Sequence, residues 1–111
     1  MMRRIVRALD LRNDADLIAE YRARHRPGAV WIEVLDHIRA QGVHTMEIWQ
    51  VADRLVMIAD VSDDFPRAIE EPARITEWER LMDRFQKRLP GSASDEKWIE
   101  MERIFALDPE I

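Results

Sequence analysis

The chain is 111 residues long, a length suited to one compact domain, with 47% apolar and 35% charged side chains and a formal charge of −5. Its acids and bases are interspersed, so no basic face is offered to nucleic-acid phosphates, and no apolar run nears the roughly 20 residues that span a bilayer. Cysteine is absent, which excludes disulfides, thiolate catalysis and zinc–sulfur sites. Arg7 and Asp10 interrupt the apolar run that a secretory signal would need, so a cytoplasmic protein is expected.

Ile5 to Leu11 is rich in branched aliphatics and alternates, which predicts a first strand, with Asn13 and Asp14 following as turn or cap residues. From Asp14 the positions Leu17, Ile18, Tyr21 and His25 have the spacing of one helical face, and Pro27-Gly28 breaks it. A second helical segment runs from about Val30 to Gly42 through Val34, Leu35 and Ile38. Val43–Val51 and Arg54–Val61 are β-rich runs separated by Ala52-Asp53, a hairpin spacing. Pro72 can open a long helix whose apolar face is Ile75, Trp78, Leu81, Met82, Phe85 and Leu89, stopped by Pro90-Gly91. After a polar loop over 92–97, the alternation Ile99, Met101, Arg103, Phe105, Leu107 predicts a final strand. The order is β-α-β-β-α-β, a ferredoxin-like α+β arrangement in which the first helix is broken.

Tyr21 and His25 are four residues apart, so on a helix their side chains stand one turn apart and can converge on one ligand. An imidazole whose ordinary pKa is about 6.5 can take and give a proton near neutrality, with a phenol hydrogen-bonding beside it. The plainer alternative is that both rings fill the rim of the core with their polar tips wet. His37 and His44 lack the spacing of a second metal ligand, so no metal is expected. There is no glycine-rich phosphate loop and no nucleophile motif. Trp31, Trp49, Trp78 and Trp98 are stacking faces or core, and Glu70, Glu71, Glu77 and Glu79 read mostly as the solvated side of the long helix.

Several segments, taken together, resemble the L-rhamnose mutarotase family, and in particular its branch linked to L-fucose. They are Glu20-Tyr21-Arg-Ala-Arg-His25, Trp31-Ile-Glu33, Gly42 through Met46-Glu47-Ile48, Trp78-Glu79-Arg-Leu-Met82, and Lys97-Trp98 ahead of Met101. The resemblance runs from about Arg4 to Leu107. It implies a dimeric α+β barrel in which two ferredoxin-like sheets face one another, each subunit holding a monosaccharide pocket that needs no cofactor. It further implies that His25 is the catalytic proton donor and Tyr21 a substrate contact. Trp78 and Glu79 stand where rhamnose members carry a tryptophan pair, and Met46 where they carry a tyrosine. The chain also has two extra residues between His25 and Trp31. The expected activity is interconversion of the α and β anomers of L-rhamnose or L-fucose by acid/base ring opening. A non-catalytic sugar-binding dimer and a small monooxygenase on the same barrel are the competing readings. Independently of the resemblance, the run Leu55 to Val61 is apolar on both faces, which calls for a second sheet to cover one of them.

Overall fold

The computed structural model describes residues 2–92 and 96–108. The chain runs β1 (Met2–Leu11), α1 (Ala15–Arg24), α2 (Ile32–Ala40), β2 (Val43–Val51), β3 (Arg54–Ser62), α3 (Ala73–Asp83), β4 (Gln86–Lys87) and β5 (Ile99–Glu100). The strands are ordered β2-β3-β1-β4, all pairings are antiparallel, and β5 also pairs with β1. This is the predicted ferredoxin-like topology.

Local chemistry sets the element ends. Asp14 caps α1, its Oδ1 accepting from the amides of Asp16 and Leu17, both at 3.0 Å. α1 ends at His25, and Gly28, at φ +83°, turns the chain toward α2. Gly42, at φ +107°, ends the excursion of α2, and a Cβ there would collide with the Ser62 hydroxyl. Between Val43 and Thr45 the β2–β3 register slips by one residue, a bulge with His44 as the extra residue. The hairpin then closes over Ala52, whose φ of 51° is left-handed, and Asp53.

All three helices cover one face of the sheet. Leu11 and Leu55 pack with Tyr21, Val34, Ile75, Trp78, Met82 and Phe85, while Ile5, Val43, Ala59 and Val61 form a second cluster under Ile38 and Met46. The opposite face presents Val6, Ala8, Trp49, Val51, Val56, Ile58 and Ile99, as the pairings Ala8↔Val56, Val6↔Ile58, Trp49↔Val56 and Ala8↔Ile99 require. Trp49 is 60% and Val51 70% exposed on it. A bidentate ion pair, Arg54 to Asp10 at 2.7 and 3.1 Å, joins two directly opposed strand residues on this face.

Two boundaries differ from those predicted. The third helix stops at Asp83 rather than continuing to Leu89, because Gln86 and Lys87 leave it to pair with Leu11 and Asp10 of β1. Phe85 keeps the apolar period because it enters the same core from non-helical chain, fully buried. The final strand is limited to Ile99–Glu100, with the Met101 amide still donating to the Val6 carbonyl at 2.7 Å. Beyond it Ile104, Phe105 and Leu107 are 94%, 76% and 90% exposed, with no strand pairing among the described residues. Residues 93–95 of the predicted loop lie outside the described residues.

Candidate functional site

The helical period of α1 brings Tyr21 and His25 onto one side, where their rings lie 4.2 Å apart, tilted by 34°. His25 Nδ1 is 2.7 Å from the Tyr21 carbonyl oxygen. A carbonyl only accepts, so Nδ1 carries the hydrogen, and in the neutral ring Nε2 is left as the basic nitrogen. Trp78 of α3 meets the imidazole edge-on at 5.7 Å. Trp31, at the N-cap of α2, stands behind Trp78 at 5.1 Å, with the Arg74 guanidinium 3.5 Å above its ring. Arg74 is itself held by Glu33 and Glu77, each at 3.0 Å.

Between the helices and the sheet lies a cavity of about 420 Å³, and His25, Tyr21, Met46, Trp78 and Glu79 all line it. Every site residue singled out in the sequence therefore reaches one space, formed by α1, β2 and α3. Trp31 is not among the lining residues; it acts on the cavity through Trp78. Much of the wall is apolar, including Ile48, Met57, Ile75 and Trp98, with a few polar groups converging on it. That is the usual make-up of a small-molecule site, whose volumes run from about 300 to 1,000 Å³.

The electrostatics keep the two polar rings neutral. Burial pushes the His25 pKa below its ordinary 6.5, a shift partly opposed by its hydrogen bond to the Tyr21 carbonyl. Burial drives the Tyr21 phenol up to about 12; the Gln86 side chain pulls the other way, and the Glu79 charge adds to the rise. Glu79 does not point freely into the cavity. Lys97 Nζ bonds its carboxylate at 2.8 Å and Asp83 at 2.6 Å, a clasp that ties the segment carrying Trp98 to α3. Burial works against the Lys97 charge, but these two carboxylates outweigh it and raise its pKa.

Sequence reasoning missed Arg7, His37, Glu71 and Gln86 as cavity residues. Arg7 belongs to the face of β1 that the helices cover, and its guanidinium lies 5.4 Å from the Phe65 ring. The strand alternation that puts Ile5 and Leu9 inward also puts Arg7 inward, a signal that was present in the sequence. Among the described residues no group of three or more His, Asp or Glu side chains could hold a metal ion.

The model of a protein family described as L-rhamnose mutarotase matches residues 4–107. An L-fucose mutarotase of Xanthomonas campestris pv. campestris is 48% identical over 111 residues, covering 96% of this chain and 89% of the relative. A UPF0734 protein of Dictyostelium discoideum is 33% identical over 110 residues, covering 91% and 86%. The crystal structure of an L-rhamnose mutarotase from Formosa agariphila superposes with a TM-score of 0.69 at 18% identity, covering 96% of this chain and 99% of that one, which establishes a shared fold. The α1 pair, the cavity it faces and a family match over nearly the whole chain agree, and the protein belongs to the L-rhamnose mutarotase family.

Proposed function

We propose that the chain is a single-domain aldose mutarotase that interconverts the anomers of a 6-deoxy-hexose, L-fucose or L-rhamnose, with His25 transferring the proton. The observation that carries this reading is the Nδ1 hydrogen bond to the Tyr21 carbonyl, which fixes the tautomer and leaves a basic Nε2 on a ring lining the cavity. Ring opening removes the proton of the anomeric hydroxyl and supplies one to the ring oxygen; reclosure after rotation of the aldehyde reverses both. No electrons move, so positioned acid and base groups suffice and no cofactor is needed. The Tyr21 phenol, kept neutral by its high pKa, is a hydrogen-bond donor for a sugar oxygen. Trp78, Met46 and the neighbouring apolar wall suit the C–H face and the methyl group of a 6-deoxy sugar, and Glu79, clasped by Lys97, closes the rim. The 48% identical L-fucose mutarotase favours L-fucose as the first sugar to test.

The working unit in this proposal is a homodimer. Its support is the apolar outer face of the sheet, with Trp49 and Val51 largely exposed on it, and the exposed Ile104, Phe105 and Leu107 beyond β5. A cytoplasmic location belongs to the same proposal and rests on the cysteine-free composition with its interspersed charges.

Saturation-transfer NMR on equilibrated L-fucose and L-rhamnose tests the activity directly. Exchange between anomers should be accelerated by the protein, with EDTA present, far beyond the buffer rate. Acceleration that vanishes with the chelator and returns with a divalent ion would overturn the acid/base reading.

A further inference from the structure

Gln86 directly follows the buried Phe85 and is the first residue of β4, where pairing with Leu11 of β1 fixes its backbone. Its side chain lines the same cavity as Tyr21 and His25. Its side chain opposes the rise of the Tyr21 pKa, so the amide and the phenol share one side of that cavity. Its Oε1 is buried and, among the described residues, accepts no hydrogen bond. A buried amide oxygen without a donor is costly, so an orphan of this kind in a cavity wall asks for a ligand that brings one.

The Tyr21 phenol keeps its hydrogen, with its pKa held at about 12, and lines the same cavity. Tyr21 thus offers a donor, and Gln86, beside it, offers an acceptor. A sugar hydroxyl both accepts and donates, and it matches such a pair. We propose that Gln86 is a substrate-recognition residue, which accepts a hydrogen bond from one ring hydroxyl of the sugar through Oε1 beside the Tyr21 donor. The choice of a 6-deoxy-hexose rests on the mutarotase reading; the donor–acceptor pair itself requires only a hydroxylated ligand. Discrimination between epimeric sugars follows, because an epimer moves one hydroxyl off the pair and leaves both groups unmatched.

The test uses L-fucose and a set of its analogues, each lacking one ring hydroxyl, titrated by ligand-observed NMR against the parent protein and Gln86→Met. Methionine keeps nearly the same volume and removes both ends of the amide. Gln86→Met should weaken L-fucose binding roughly 3- to 10-fold, the value of one neutral hydrogen bond. KM should rise more than kcat falls. One analogue should bind the parent poorly, yet bind Gln86→Met as well as L-fucose does, which identifies the hydroxyl held. Equal weakening for every analogue, or unchanged binding with a lowered melting temperature, would make Gln86 a packing residue and overturn the proposal. Should Gln86→Met fail to fold, Gln86→Glu serves: it keeps an acceptor, so the penalty for deleting that one hydroxyl must persist, and its loss overturns the proposal. Binding of L-fucose without accelerated exchange would sink the mutarotase reading while the analogue pattern still decides Gln86. A parent protein that binds no 6-deoxy-hexose would overturn both.

Discussion

Replacing His25 by asparagine separates the chemistry from the fold. The asparagine amide N–H sits close to where Nδ1 stood and can still donate to the Tyr21 carbonyl, whereas nothing replaces Nε2. If Nε2 transfers the proton, the variant loses a contribution of about 10²–10⁴ in rate, or about 3–5 kcal/mol of barrier. The structural cost is smaller. The imidazole makes ring contacts with Tyr21 and Trp78, and each such aromatic contact is worth about 0.5–1.5 kcal/mol. Set against the roughly 5–15 kcal/mol stability of a domain, that loss leaves the protein folded. Anomer exchange by saturation-transfer NMR, measured beside a thermal melt, reads both quantities on one sample. His25→Asn should melt within a few degrees of the parent and exchange L-fucose at least 100-fold more slowly. His25→Ala should lose the same activity and more stability. A folded His25→Asn protein exchanging within a few-fold of the parent would remove His25 from the mechanism.

Because burial holds the His25 pKa below 6.5, exchange should stay level from neutrality down past that value and fall only in more acid solution; an acid limb centred at or above 6.5 would contradict it. The linked stability has the same sign: the unfolded histidine takes up its proton near 6.5 while the folded one resists, so stability is complete above that pH and declines as pH falls toward the folded value, which melts across pH can follow. Tyr21→Phe keeps the packed ring and should slow exchange by roughly 2- to 10-fold, with no alkaline limb near pH 10 in the parent, since the phenol is held at about 12. Ile58→Lys places a charge at the centre of the outer sheet face and should shift sedimentation from dimer to monomer; an unchanged dimer would place the interface elsewhere.

The readable parts of the fold were those in which one local period did one job. α1 was legible because Asp14 caps it and Tyr21 and His25 continue its face into the site. The hairpin was legible because two β-rich runs stand two residues apart. The end of α3 was not, because Phe85 satisfies a helical period while contributing to the core from outside the helix, and only the edge of β1 explains why the chain leaves there. Gln86 was hidden by the same misreading, since a glutamine on a presumed helix reads as a solvated side chain. The final strand was overextended because alternation in 101–107 describes a chain with two unlike sides, whether or not a strand lies beside it. Trp31 was legible as an aromatic near the site, but its place behind Trp78 depends on a turn whose path the spacing of Pro27 and Gly28 does not determine.

The extra residue at His44 lets Val43 and Met46, an odd number of positions apart, both face the helices. Met46 and Ile48 then look into the cavity, while Glu47 and Trp49 look out across the far side of the sheet. Delete one residue between Val43 and Met46 and the ladder becomes regular, with Val43 still opposite Val61 and Met46 still opposite Ala59. Delete Glu47 instead, with Val43 to Met46 held in place, and an indole would enter the cavity while an isoleucine left it. Substitutions on this strand can therefore retune the cavity one wall atom at a time, and the bulge can absorb the loss of a residue, whereas a deletion beyond it rewrites the cavity and the opposite surface together. Length should be far more constrained beyond Met46 than at the bulge, an asymmetry that single deletions at His44 and at Glu47, compared side by side, would expose.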